Sequence, residues 1–190
     1  MPQVARIARR GTLTWRDLWH TPDDGNRYEI INGEVYVSPA PYVSHQEILR
    51  NLFVILHDHV RKHRLGTVLF APLGIVLEKA SAVQPDLIFI ASARRSIIED
   101  KAVFGASDLI VEVLSPSTAS RDRGMKRDLY LRCGVAHYWL IDRRKGTLQA
   151  LRREAGTYAV EAEVGARGTF KPALFPSLSI RLREVFARQR

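Results

Sequence analysis

The chain has 190 residues, 46% hydrophobic and 26% charged, with 29 Lys and Arg against 20 Asp and Glu and a net charge of +9. This composition suits one globular domain and excludes extensive disorder, and no apolar run approaches the ~18 residues of a membrane span. A lone cysteine, Cys133, excludes an intramolecular disulfide and a Cys-rich zinc site, and points to a reducing cytoplasm.

Met1 to Arg10 is charged and is followed by no apolar stretch, so no secretory signal is expected. Residues 1–26 read as a short extension with one helical stretch, Thr14–Trp19, ahead of a domain that fills the rest of 1–190. Arg27–Val37 reads as a hairpin, because Asn32-Gly33 is the favoured pair for a two-residue turn between apolar-alternating arms. Ser44–His63 reads as a helix. Ser44-His45-Gln46-Glu47 has the form of a capping box, Ile48, Leu49, Leu52, Phe53, Leu56 and Val60 make one apolar stripe, and Gly66 stands at its end.

Thr67–Glu78 reads as a strand or hairpin arm broken at Pro72 and Gly74. Val83–Ile90 and Leu109–Leu114 are nearly continuous apolar runs, which suit strands buried on both faces. Ser117–Arg132 reads as a second helix and His137–Asp142 as a strand, so Leu109–Asp142 has the length of a βαβ crossover. Leu148–Leu151 and Tyr158–Val164 follow as a strand pair, and Leu182–Arg188 as a closing helix. The order predicts an α/β fold with a mixed sheet flanked by helices.

Two acids interrupt these apolar strands. Asp86 follows Gln84-Pro85, and Glu112 lies inside Leu109–Leu114. A carboxylate there is costly unless it is paired or binds a cation. Either acid alone reads as well as a structural one satisfied by an arginine or by backbone N–H groups. Two on neighbouring strands require a metal or a proton, and an oxygen-rich shell suits Mg²⁺ or Mn²⁺. On the next helix Asp122, Lys126 and Tyr130 share a face. They read either as a solvated pair beside a half-buried tyrosine, or as a lysine directed back over the Glu112 strand. Ser115 and Ser117 read as strand-ending and helix-capping residues, and Trp15, Trp19 and Trp139 as core. His59 and His63 have zinc-like spacing but no HExxH context. Phosphate-loop patterns are absent. The basic excess favours polyanions, although Arg143, Arg144, Lys145, Arg152 and Arg153 read equally well as a solvated surface.

The runs Gln84-Pro85-Asp86, Val111–Thr118, Asp122…Lys126…Tyr130 and Tyr138–Asp142, with the opening Arg27–Glu34, resemble the Uma-two family. That family is grouped with the PD-(D/E)xK restriction-endonuclease-like superfamily. The resemblance implies a restriction-endonuclease-like core and a metal-dependent nuclease, a hydrolase of DNA phosphodiester bonds. It implies Asp86 and Glu112 as the motif acids, holding Mg²⁺ or Mn²⁺ together with the Val113 carbonyl. Leu114 stands where the superfamily places its lysine, so the resemblance implies that Lys126 takes that role from the helix. It also raises Glu29 and His45 as further polar site residues, whereas the capping box already accounts for Glu47. A homodimer would let such a nuclease reach both strands of a duplex. The departure at Leu114 leaves a second expectation open: a nucleic-acid-binding module of the same fold with weak or absent cleavage.

Overall fold

The computed structural model describes residues 12–188. The expectation for Met1–Arg10 lies outside them. The described part of the extension packs onto the domain. Leu13 is buried and its N–H donates to the Gly33 carbonyl, and the 3-10 turn Trp15–His20 begins with the Trp15 N–H donating to the Lys79 carbonyl.

The hairpin β1 (Arg27–Ile31) and β2 (Glu34–Ser38) turns through Asn32 and Gly33, whose φ angles are 53° and 82°. These positive values are why that pair is needed. Helix α1 (Val43–His63) follows, then β3 (Gly66–Phe70), β4 (Ile75–Glu78), β5 (Ser81–Val83) and β6 (Leu87–Ala91). A 3-10 turn, Ser92–Ile97, leads to β7 (Val103–Phe104) and β8 (Leu109–Leu114). The second helical stretch runs as α2 (Ala119–Arg121), a π-helical turn Asp122–Lys126 and α3 (Arg127–Cys133). Strands β9 (His137–Asp142), β10 (Thr147–Glu154), β11 (Thr157–Gly165), β12 (Thr169–Phe170) and β13 (Ile180–Arg181) precede the short helix α4 (Leu182–Val185).

The main sheet has six strands in the order β11-β10-β9-β8-β6-β3. Its β8–β9 pair is parallel and its other pairs are antiparallel, so it is mixed, as the crossover length predicts. A five-stranded sheet, β2-β1-β5-β4-β7, lies beside it. Alternation along the central strands builds two cores. Leu109, Val111 and Val113 of β8 join Leu87 and Phe89 of β6 under the apolar stripe of α1. Ile110 and Leu114, with Ile88 and Ile90, pack with Leu129 and Tyr130 of α3. No helix among the described residues is long and apolar enough to cross a membrane.

Several local expectations need correction. Val83–Ile90 is two strands in two different sheets, parted at Gln84-Pro85-Asp86. Pro85 has no N–H for a ladder, which lets the chain leave one sheet and enter the other. Thr67–Glu78 divides between the same two sheets. The capping box does not form: α1 starts one residue earlier, its N-cap is Tyr42 with no side-chain cap, and Ser44 instead bonds the Arg143 guanidinium. The helix ends at Arg64 in the left-handed region rather than at Gly66. Gly66 opens β3, where a Cβ would lie 2.0 Å from the Ile90 carbonyl oxygen. Trp139 is fully buried, whereas Trp19 is 50% exposed and belongs to no core. The closing helix is shorter than expected, ending at Val185.

Candidate active site

The break that ends β5 and starts β6 leaves Asp86 at the head of β6, where β8 runs on past it. Leu87 pairs with Val111, so the register carried one residue further sets Asp86 opposite Glu112. Directly opposed residues of an antiparallel pair have Cβ atoms about 4.5–5.5 Å apart. The Asp86 carboxylate replaces the missing strand partner: its Oδ2 accepts the Val113 N–H at 2.8 Å. A residue in an extended strand directs its N–H and its carbonyl to the same side. The Val113 carbonyl therefore also faces the gap beside Asp86.

Both acids are 2% exposed, yet their surroundings differ. The Arg27 guanidinium donates to Asp86 Oδ1 at 2.9 Å, and His45 Nε2 lies 3.0 Å from Oδ2. Burial alone would raise the Asp86 pKa, but the His45 contact, Arg27 and the Val113 N–H outweigh it and hold the carboxyl at about 2. Glu112 Oε1 accepts the Tyr130 hydroxyl at 2.8 Å and lies 2.5 Å from Lys126 Nζ. Lys126 is shared, with Glu29 Oε1 at 2.9 Å and Asp122 Oδ1 at 3.8 Å. One ammonium thus serves three buried carboxylates. Burial, aided by repulsion from Asp122, Asp86 and Glu29, pushes the Glu112 carboxyl up to about 8 despite Lys126. Burial works against the Lys126 charge, but attraction to Glu112, Glu29 and Asp122 prevails and raises its pKa well above the ordinary lysine value. Glu29 is lowered: burial opposes its charge, and Lys126 with the Gln84 N–H overcomes that.

The helix that carries the lysine is deformed at this point. In the π-helical turn the Asp122 carbonyl accepts the Tyr138 hydroxyl from β9 at 2.9 Å. Such turns are rare and concentrate at functional sites. Leu114, two residues after Glu112, is buried in the core against α3.

A cavity of about 370 Å³ opens over these groups, and its lining includes Glu29, His45, Asp86, Glu112, Val113 and Lys126. The six site residues that the family resemblance implied are therefore brought to one place. Sequence reasoning missed Arg27 as the partner of Asp86. It also missed Arg121 and Arg143, which line the same cavity. Arginine in a basic chain carries little signal; only the alternation of β1, which directs Arg27 and Glu29 to one face, could have brought Arg27 into the site. Ser115 and Ser117 also line it, their hydroxyls 3.0 Å apart, without a side-chain cap on α2. His59 and His63 have their ring centroids 4.5 Å apart on α1, away from this cavity.

Among the described residues no group of three or more His, Cys, Asp and Glu side chains is arranged to hold a metal. The donor chemistry nonetheless fits a hard divalent cation. An ionised carboxylate has roughly four lone-pair sites. Asp86 uses three of them, for Arg27, His45 and the Val113 N–H, and Glu112 uses two, both at Oε1. Oxygen capacity remains on both acids and on the Val113 carbonyl, the ligand type that Mg²⁺ and Mn²⁺ prefer.

The sequence matches the Uma2 family, described as "Putative restriction endonuclease", over residues 15–183. No curated protein matches it. Among solved structures, the chain is similar to a crystal structure from Anabaena variabilis ATCC 29413, described as that of a "putative nuclease belonging to DUF820". The two share 19% identity with a TM-score of 0.75, over 92% of this chain and 97% of that one, which shows the same mixed α/β fold.

Proposed function

Because this chain belongs to the Uma2 family, we propose that it is a metal-dependent endonuclease that hydrolyses phosphodiester bonds of DNA at the cavity over Asp86, Glu112 and Lys126. The observation that carries this reading is convergence. Glu29, His45, Asp86, Glu112 and Lys126 come from five separated segments and line one cavity beside the outward carbonyl of Val113. Asp86, Glu112 and that carbonyl are the groups that would hold Mg²⁺ or Mn²⁺. An ion so held supplies Lewis-acid stabilisation of phosphodiester charge and lowers the pKa of water.

The chain's own residues have separable tasks. Arg27 and His45 keep Asp86 ionised and fix its orientation. Lys126 remains an ammonium at neutral pH, so it acts as a hydrogen-bond donor and a fixed positive charge toward phosphate oxygens rather than as a base. Glu29 and Tyr130 hold Lys126 and Glu112 in register. Hydrolysis forms one bond from a water oxygen to phosphorus and breaks one ester P–O bond, with a proton delivered to the leaving oxygen. The net charge of +9 supplies affinity for the phosphate backbone that falls steeply with salt.

A second reading is favoured by one observation. Leu114 is packed away where the superfamily lysine stands, and Lys126 is tightly engaged by Glu112 and Glu29. On that reading the fold is a nucleic-acid-binding module with weak or no cleavage. Plasmid nicking at low salt separates the two. The nuclease reading expects nicking that requires Mg²⁺ or Mn²⁺ and disappears with chelator and in Asp86→Asn, Glu112→Gln and Lys126→Met. Nicking at wild-type rates by Asp86→Asn would overturn it, and salt-sensitive DNA binding without nicking would establish the module.

A further inference from the structure

Two arginines of the cavity wall are built alike. Arg121 lies over the Tyr36 ring, 5.2 Å from its centroid, and donates to the Ser38 hydroxyl at 2.6 Å. Arg143 lies over the Tyr42 ring, 5.1 Å from its centroid, and bonds the Ser44 hydroxyl. Each guanidinium is therefore backed by an aromatic face and pinned by a serine, Ser38 at the end of β2 and Ser44 in the first turn of α1. Neither has a carboxylate partner among the described residues, unlike Arg27 on Asp86. Arg121 Nε is buried and has no hydrogen-bond partner. A guanidinium presents five N–H donors in a fixed fork, and a buried donor without an acceptor is uncommon.

The two are associated with different halves of the acidic floor. Arg121 acts electrostatically on Glu29, which pairs with Lys126. Arg143 is held by Ser44, next to His45, which pairs with Asp86. We propose that Arg121 and Arg143 each bind a backbone phosphate of one nucleic-acid strand, on either side of the phosphate that lies over Asp86 and Glu112. The inference rests on the nuclease reading for the site it surrounds, but it is a statement about binding and does not require cleavage. An arginine fork matches two phosphate oxygens, and a stacked, serine-bonded arginine loses little further freedom when it binds them. The pair would set the register of the strand across the acids and leave base identity unread.

The test uses the full chain and a single-stranded oligonucleotide in which one phosphate at a time is a neutral methylphosphonate. Anisotropy binding is measured in chelator, so that cleavage plays no part. The wild type should show two sensitive positions flanking a central one. Arg121→Met should lose sensitivity at one flank and Arg143→Met at the other. Each should weaken binding to the unmodified strand about tenfold and reduce the slope of log affinity against log salt by about 0.7. Arg121→Lys keeps the charge and the salt slope but loses the fork, so it should recover only part of the affinity. Ser38→Ala removes the brace alone and reports any loss that comes from loosened β2. Unchanged methylphosphonate profiles in both arginine variants, with the fold intact by circular dichroism, would overturn the proposal. So would loss of the same position in both. If the nuclease reading fails, nicking is absent while the two-position profile persists; if this inference fails, nicking persists in both variants with the profile unaltered.

Discussion

Asp86 and Glu112 face each other across two paired strands and are equally buried, but they live in opposite electrostatic settings. Asp86 faces an arginine, a histidine and a backbone N–H, and its charge is more than matched. Glu112 faces one lysine that two other carboxylates also claim. The first half of the site is a satisfied ion cluster, and the second is short of positive charge. The difference shows where an added cation gains most. Charge sits ready on the Asp86 side and is in excess around Glu112, so a cation between them relieves the second without dismantling the first.

The largest expected effect tests the shortage directly. Lys126→Met leaves Glu29, Glu112 and Asp122 buried without their common cation, and should cost about 3–5 kcal/mol in urea unfolding. Loss under 1 kcal/mol would mean that the three acids are neutral and that Lys126 compensates nothing. Next, Asp86→Asn strips the charge from three donors and should cost about 1.5–3 kcal/mol. Glu112→Gln, of the same shape, replaces a carboxyl that is largely protonated at neutral pH and should shift stability by less than about 1 kcal/mol while abolishing nicking. Equal stability losses in these two variants would erase the distinction between the halves.

Acidity should separate them again, with opposite signs. Asp86 titrates at about 2 against an ordinary 3.8, so its contribution is present above about 3.8 and is lost as pH falls through about 2. Glu112 titrates at about 8 against an ordinary 4.5, so the folded state binds the extra proton between those values and stability falls as pH rises through that window. Metal-free wild type should therefore be more stable near pH 5 than near pH 8, and Glu112→Gln should flatten that limb. A wild-type stability that climbs from pH 5 to 8, with no change in the variant, would contradict the assignment. A modest effect is expected of Tyr130→Phe, which removes a single donor from Glu112 and should cost about 1 kcal/mol, leaving Lys126 in place. A loss as large as that of Lys126→Met would show that the hydroxyl, not the ammonium, holds Glu112.

Much of this was legible in the sequence, for reasons that particular residues make plain. Strand β8 announced itself because six successive apolar-run positions carried one acid, and α1 because its stripe repeats at helical spacing. The β8–β9 crossover followed from segment lengths. Asn32-Gly33 fixed the hairpin turn because so few residue pairs adopt those φ values. The division of Val83–Ile90 between two sheets was not legible, because apolar continuity reports burial and not the sheet in which a strand is buried. Ser44 misled for a related reason: the serine and glutamate spacing is local, while the Arg143 that captures Ser44 comes from the far end of β9. The acids Asp86 and Glu112 stood out as charges in apolar runs. Arg27, Arg121 and Arg143 did not, because one arginine looks like any other until the fold selects its partner. Lys126 rested on family resemblance, since its helical face agreed equally with a solvated pair.

The π-helical turn carries a consequence for how the chain tolerates changes in its length. An α-helix advances about 100° per residue, and the wider turn at Asp122–Lys126 takes up part of a revolution that a regular helix would not. Lys126 is the last residue of that turn and contacts Glu112 from it. Gly124 has open space around it and no side chain to lose, so deleting it should draw the turn back toward a regular helix. The exposed turn between β10 and β11 lies outside the cavity lining, so a longer turn there would leave the cavity untouched. Between Glu112 and Lys126, the π-helical turn is the place where the chain could gain or lose a residue of helix at least cost to the candidate site.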